Sequence, residues 1–223
     1  MFVRFRWGFN LDKKEFKKCY GVSRETMDRL EKYVEVLTRW QGAINLIGPK
    51  TLTSVWRRHI HDSAQLISLF PNKTPIITDF GSGAGFPGLV LAIMTKAKVH
   101  LIESSEKKTQ FLREVARQTG THVKVHQGRI ENISPWKTDL ITVRALGSLD
   151  KLLEYADCFG NCSGDNKPSI LCLKGRRANE ELTQALKSWK IDFSFIKSRS
   201  DETGIIVYIK NFSRYRFDKK LAK

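Results

Sequence analysis

Asp79-Phe80-Gly81-Ser82-Gly83-Ala84-Gly85-Phe86-Pro87-Gly88 is the stretch whose reading decides the fold. The apolar run Pro75-Ile76-Ile77-Thr78 before it reads as a buried strand. Leu89-Val90-Leu91-Ala92-Ile93-Met94 after it reads as the start of a buried helix. A strand, a glycine loop and a helix in that order build a nucleotide-sized pocket at the carboxyl end of a strand in an open α/β sheet. Glycine serves there because the backbone must approach a ligand with no Cβ in the way.

Gly83-Ala84-Gly85-Phe86-Pro87-Gly88 matches G-x-G-x-x-G, the dinucleotide fingerprint, but two features count against NAD. Asp79 stands at the strand end, where its charge would repel a pyrophosphate. Pro87 removes a backbone N–H from the turn that should cradle phosphate. An acid suits a ligand that carries an amino group and a sulfonium and no phosphate, which is S-adenosylmethionine. A second strand, Lys98-Val99-His100-Leu101-Ile102, ends at Glu103. An acid at that place accepts hydrogen bonds from ribose hydroxyls in either kind of site.

Outward from this centre, strands are expected near 76–80, 98–102, 122–126, 139–143 and 169–173. Helices are expected near 88–95, 105–118, 148–158 and 177–188. This alternation predicts a mostly parallel sheet with helices on both faces. Ile191 to Ile196 and Ile205 to Ile209 are joined by a polar turn too short for a crossover helix, so they should pair antiparallel. The fold class is therefore α/β, a Rossmann-like methyltransferase sheet closed by an antiparallel strand. Residues 1–74 read as an N-terminal helical extension packed on the core. One helix carries Leu30, Tyr33, Val34, Leu37, Trp40 and Ile44 at helical spacing behind an N-cap at Ser23. After the break at Gly48-Pro49, a second helix carries Leu52, Val55, Trp56, Ile60, Ala64 and Ile67 on one face. Residues 75–210 form the cofactor domain, and 211–223 read as a mobile basic tail.

The chain has 223 residues and a net charge of +16. Residues 1–74 carry +7 and residues 197–223 carry +5, while the long middle carries only +4. An excess on the flanks of a nucleotide domain is the footprint of a polyanionic partner, most simply nucleic acid. Cys19, Cys158, Cys162 and Cys172 lack metal-site spacing and read as reduced thiols, with no metal expected. No apolar run approaches the length of a membrane span, and the basic start lacks a secretory apolar region, so a cytoplasmic protein is expected.

One ordered set of motifs is more specific than any of these. It comprises Trp40 with Asn45-Leu46, Arg58-His59-Ile60 with Asp62-Ser63, and the glycine loop continuing into Phe86-Pro87-Gly88. Leu101-Ile102-Glu103-Ser104 follows, with Lys107-Lys108 and Phe111-Leu112, then Arg129-Ile130-Glu131, Arg144-Ala145, and Lys174-Gly175 with Glu180. From about Tyr33 to Ile209 the chain resembles the bacterial small-subunit rRNA guanine-N7 methyltransferases, the glucose-inhibited division protein B family. The resemblance implies S-adenosylmethionine as donor, and as acceptor one guanine of 16S rRNA in the small ribosomal subunit, at position 527 by the family's convention. It implies cofactor contacts at Gly81, Phe86, Ile130, Glu131 and Arg144, beside Asp79, Gly83 and Glu103 from the loop and strand ends. The basic start, Met1 to Trp7, and the basic tail are not part of the pattern.

Guanine N7 offers an in-plane lone pair and no proton, so its attack on a sulfonium methyl needs no general base. Positioning and electrostatics should carry the rate. Arg144, at the end of the fourth strand, is the candidate active-site residue. Lys174, Arg176 and Arg177 after the fifth strand are candidates to grip phosphates, and Lys107 and Lys108 are further RNA candidates. Arg58, His59, Asp62 and Ser63 pair at four-residue spacing and read first as a lock between the helical extension and the cofactor domain. A monomer is expected. The competing readings are the same enzyme class acting on another RNA or a small molecule, an RNA-binding module that no longer uses its cofactor fold, and an NAD-dependent oxidoreductase.

Overall fold

The computed structural model describes residues 11–162 and 167–215. The basic start, Met1 to Trp7, and residues 216–223 lie outside them. Seven strands form one sheet in the order β3-β2-β1-β4-β5-β7-β6. β1 (Ile76–Phe80), β2 (Lys98–Glu103), β3 (Val123–Gln127), β4 (Leu140–Arg144) and β5 (Ser169–Lys174) are parallel. β6 (Trp189–Lys197) and β7 (Ile205–Arg214) form an antiparallel hairpin, with β7 inserted beside β5. The order reverses between β1 and β4, which is where open α/β sheets hold ligands at their carboxyl ends.

Alternation along the strands sorts the core into two layers. Ile77, Val99, Leu101 and Leu140 face the helical extension together with α4 (Gly88–Met94) and α5 (Glu106–Thr119). Phe80, Ile102, Ile141 and Val143 face α6 (Leu149–Asn161) and α7 (Ala178–Ala185). α1 (Lys13–Tyr20) starts in a capping box between Asp12 and Glu15 and stops at left-handed Gly21. α2 (Arg24–Gln41) starts where the Ser23 side chain accepts from the Thr26 N–H. It buries Met27, Leu30, Tyr33, Val36 and Leu37 in the same apolar cluster as the sheet. No helix among the described residues is long and apolar enough to cross a membrane.

Two expectations are corrected. The second helix of the extension is not one regular helix. It runs as a 3₁₀ segment (Pro49–Ser54), a π turn (Trp56–His61), a single α turn, α3 (Asp62–Ala64), and a further 3₁₀ segment (Gln65–Leu69). Periodicity records which residues are apolar but not how wide each turn is, and π turns concentrate at functional sites. The presumed tail from Asn211 begins as strand. β7 continues to Arg214 because Phe212 is buried against Trp189, whose indole N–H donates to Asp150 Oδ1 at 3.0 Å.

Candidate active site

The glycine loop leaves β1 and is pinned from three sides. Glu103, at the end of β2, accepts the Gly83 N–H on Oε2 and the Ser105 N–H on Oε1, both at 2.8 Å. Its carboxylate thus locks the loop to the start of α5 and retains lone pairs for further donors. Tyr33 donates its hydroxyl to the Ala84 carbonyl from the far side of the core. Gly85 has φ +90, and a Cβ there would come within 2.4 Å of Leu89 Cδ1. No other residue fits that turn.

Beside the loop opens a cleft of about 290 Å³. Gly81, Gly83, Ile102, Glu103, Ile130 and Glu131 share its wall with Lys108, Arg129, Leu146 and Tyr155. Gly81 has φ +65, and a Cβ on it would lie 2.9 Å from Leu146 Cδ1, across the same cleft. Leu146 thus packs directly against the Gly81 backbone, and the left-handed φ there favours glycine. Ile102 and Ile130 supply apolar sides, and Glu103 supplies acceptors. That set fits an adenosyl group carrying ribose hydroxyls.

Two predicted loop residues are not in this wall. Asp79 is fully buried beneath the loop, where the Thr142 hydroxyl donates to Oδ1 at 2.7 Å. Burial pushes its carboxyl up to about 6, against the opposing pull of hydrogen bonds from Thr142, Ser82 and the Gly88 N–H. The expectation that its charge meets a ligand directly is corrected: it supports the loop from below. The Phe86 ring is only 6% exposed and is sandwiched between Tyr33 (centroids 5.2 Å apart) and His59 (4.9 Å). It anchors the loop to the helical extension, and its ring does not face the cleft.

Arg144, at the end of β4, is held by one short stretch of the π turn. Its Nη1 donates to His59 Nδ1 at 2.8 Å and its Nη2 to the Arg58 carbonyl at 3.0 Å. Its Nε lies 3.5 Å from Asp62 Oδ2. A guanidinium has no acceptor, so His59 Nδ1 must be the acceptor; its proton sits on Nε2, which donates to Thr51 Oγ1 at 2.8 Å. Burial, then Arg144 and Arg58, bring the His59 pKa down to about 3. This histidine is neutral with both nitrogens engaged, and it is unsuited to act as a base. The i,i+4 partners of the sequence reading do not meet side chain to side chain. Arg58 pairs with Asp201, Asp62 with Arg144 and the Ser200 hydroxyl, and the Ser63 hydroxyl donates to the His59 carbonyl. The segment does join the extension to the sheet.

Arg144 does not line the glycine cleft. It lines a second, larger one of about 640 Å³, with Arg58, Arg176, Arg177 and the loop between β6 and β7. Arg176 and Arg177 are exposed there. Lys174 is not available in the same way: its ammonium lies 2.7 Å from Glu181 and donates to the Gly147 carbonyl at 3.0 Å. Its side chain is 8% exposed. It stands in the wall of the same cleft, but in this structure its charge is spent on an internal ion pair. Lys107 is exposed on α5 outside both clefts, whereas Lys108 stands in the wall of the glycine cleft.

The two clefts meet at one loop. Ala145 lines both, with Leu146 in the wall of the first and Gly147 in the wall of the second. Ala145 has φ +54, the one non-glycine residue with positive φ among the described residues. Backbone held in that region costs about 1–3 kcal/mol and concentrates at functional sites. Sequence reading did not single out Leu146, Tyr155, Thr142 or Asp201. Thr142 and Tyr155 left a trace only as residues of an expected strand and an expected helix, and Asp201 only as part of the polar turn between the last two strands.

The pattern described as GidB, rRNA small subunit methyltransferase G, matches residues 26–203. A ribosomal RNA small subunit methyltransferase G from Paramagnetospirillum magneticum is 46% identical over 196 residues, covering 88% of this chain and 94% of that protein. One from Orientia tsutsugamushi is 40% identical, covering 86% and 93%. Among solved structures, M. jannaschii TYW2 in complex with AdoMet superposes with a TM-score of 0.53 at 17% identity, covering 70% of this chain and 76% of that one. A mutant of MtNAS in complex with S-adenosylmethionine reaches 0.56 at 16% identity, covering 90% and 84%. At such identities these two share the fold.

Proposed function

The chain belongs to the rRNA small subunit methyltransferase G family, and we propose that it transfers a methyl group to N7 of a single guanine in 16S rRNA. It is an S-adenosylmethionine-dependent methyltransferase of small-subunit rRNA. The observation that carries the finer reading is the pair of clefts sharing the Ala145–Gly147 loop, one fitted to an adenosyl group and the other lined with arginines. We assign the donor to the first. Gly81 and Gly83 give it backbone without Cβ, Glu103 accepts from its ribose, and Ile130 with Glu131 flanks its base. Asp79 and Phe86 hold the loop in shape from behind. When bound, the donor supplies an electrophilic methyl on a sulfonium.

The acceptor enters the second cleft. Arg176 and Arg177 neutralise phosphate there, and the fixed guanidinium of Arg144 stands at the edge of the shared loop. An N7 lone pair needs no proton removed, and His59, engaged by Arg144 and Thr51, is left with no part to play as a base. The site's contribution is then orientation and a preset electrostatic field. A guanine in a single-stranded or unstacked segment is the least costly target. We place the enzyme in the cytoplasm as a monomer acting on the small subunit.

The test is methyl transfer from labelled S-adenosylmethionine to unmodified small subunits and to naked 16S rRNA, mapped by borohydride–aniline cleavage, which reports N7-methylguanine. One labelled guanine is the expected result. Label at another atom or base would overturn the N7 assignment, and no label in either substrate would overturn the acceptor.

A further inference from the structure

Both clefts lie at the carboxyl ends of the strands. The amino ends of the same strands carry a separate cationic surface. Lys73 precedes β1, Lys96 and Lys98 lead into and open β2, Lys124 is second in β3, and Lys137 precedes β4. All five are exposed. Among the described residues none of them is in a salt bridge.

Between α2, β2 and β3 this surface opens into a cavity of about 540 Å³, with Arg29, Lys96, Lys98, His122 and Lys124 in its wall and no carboxylate. Arg29 is fixed there by donating to the Thr119 carbonyl at 2.9 Å and the Thr121 hydroxyl at 3.0 Å, so its charge is held in place. Among the described residues leading into the five parallel strands, the sole carboxylate is Asp139, and it accepts the Ile76 N–H at 2.8 Å.

General basicity does not account for this arrangement. The middle of the chain has a net charge of only +4; of its acids, Asp79, Glu103, Glu131 and Glu181 sit toward the carboxyl ends, while Asp139 and Asp157 near the amino ends are engaged with the Ile76 N–H and Lys167. Like charges gathered on one surface repel one another, and a partner of opposite charge relieves that repulsion. The strands are five or six residues long, which puts roughly 17–20 Å between this surface and the clefts. A short loop presenting only the target base does not span that distance, whereas a folded RNA domain does.

We propose that the amino-terminal edge of the sheet, centred on Lys96, Lys98 and Lys124, is a second phosphate-binding surface that grips folded 16S rRNA away from the target guanine. The proposal rests on the rRNA reading above. The test is the triple variant K96E/K98E/K124E beside K96R/K98R/K124R, assayed on unmodified small subunits over a salt series.

The reversal should raise KM for subunits by about tenfold or more and flatten the log–log salt dependence of binding by about 2 to 3. The arginine set should keep both. S-adenosylhomocysteine affinity and the melting temperature should stay at wild-type values in both sets, because these side chains are exposed and outside the donor cleft. Affinity for a short single-stranded RNA should also be unmoved. An unchanged KM and salt slope, in an enzyme whose wild type methylates subunits, overturns the second surface alone. An equal loss on the short RNA overturns it too, since the lysines would then act only as diffuse charge. A wild type that methylates neither subunits nor 16S rRNA overturns the functional reading, and this surface falls with it.

Discussion

The cleft beside the glycine loop and the arginine-lined cleft share Ala145 but are built by opposite means. The first is organised around the backbone of a glycine loop. Its wall comes from the residues that immediately follow β1, β2, β3 and β4, and its shape is set by the absence of side chains at Gly81 and Gly83. The second is made of long charged side chains gathered from far apart: Arg58 from the π turn, Arg144 from β4, Arg176 and Arg177 after β5, and Asp201 from the β6–β7 loop. A site made of backbone is defined by what must be missing, and one substitution fills it. A site made of side chains is defined by who holds whom, and it fails by losing partners. A donor that is the same in every turnover suits the rigid cleft, and a polyanion met in many conformations suits the assembled one.

The largest expected effect follows from filling the first cleft. Gly81→Asp places a charged side chain at φ +65 in the wall of the cleft assigned to the donor, where it must displace Leu146. Calorimetry should show no S-adenosylhomocysteine binding, while RNA affinity survives because the second cleft is separate. Retained cofactor binding would show that the cleft is not where the donor lies.

Next in size is the loss of a partner. Arg144→Ala leaves Asp62 buried without its guanidinium and His59 without its donor, which should lower stability by about 3 kcal/mol. Turnover should fall by about 100-fold as the fixed charge beside the shared loop is lost. Arg144→Lys keeps the charge but cannot serve His59, the Arg58 carbonyl and Asp62 together, so it should recover little. The comparison is sharpest in the third readout. Arg144 lines the arginine cleft alone, so S-adenosylhomocysteine affinity should change only a few-fold. An affinity that falls in step with turnover would move Arg144 to the donor, where the family resemblance puts it.

Asp79 tests the rigid cleft from below, through pH. Its carboxyl, raised by burial to about 6 from an ordinary 3.8, keeps its proton in the folded state when the unfolded chain has already released it. Wild-type stability should therefore decline as pH rises from about 4 to 6, and the full cost, about 3 kcal/mol, should be present at pH 7. Asp79→Asn carries no such charge. Its urea midpoint should show no pH-dependent gain near pH 4 and a growing gain toward pH 7. A difference from wild type that stays flat across that range would mean the carboxylate is solvated after all.

The same contrast explains what was legible in the chain. The glycine run, the strand before it and Glu103 after β2 announce the rigid cleft because its parts are contiguous or sit at strand ends, where the alternation of strand and helix already places them. The orientation of Asp79 and Phe86 did not follow. Both are near the loop in sequence, but only the packing of Tyr33 and His59 from the helical extension decides that Phe86 turns inward. The arginine cleft was legible as a list of cations and not as an arrangement. Lys174 and Arg176 are two residues apart, and nothing local distinguishes them. Glu181, one turn into α7, reaches back to Lys174 and leaves the arginines exposed. Arg58 and Asp62 have ideal spacing for a mutual pair on a regular helix, yet the π turn and the β6–β7 loop give each a different partner.

The smallest effect is expected inside that list. Arg176 and Arg177 are exposed, so Arg176→Ala with Arg177→Ala should leave the melting temperature and S-adenosylhomocysteine affinity at wild-type values. RNA affinity should fall by about tenfold, and the log–log salt slope should flatten by about 1 to 2, the signature of one or two lost phosphate contacts. Lys174→Met should do the reverse: it strands Glu181 and the Gly147 carbonyl, lowering stability with little change in the salt slope. If the lysine variant flattens the slope and the arginine pair does not, then the Lys174–Glu181 pair opens to receive RNA. The second cleft would then be as dependent on an internal pair as on exposed charge.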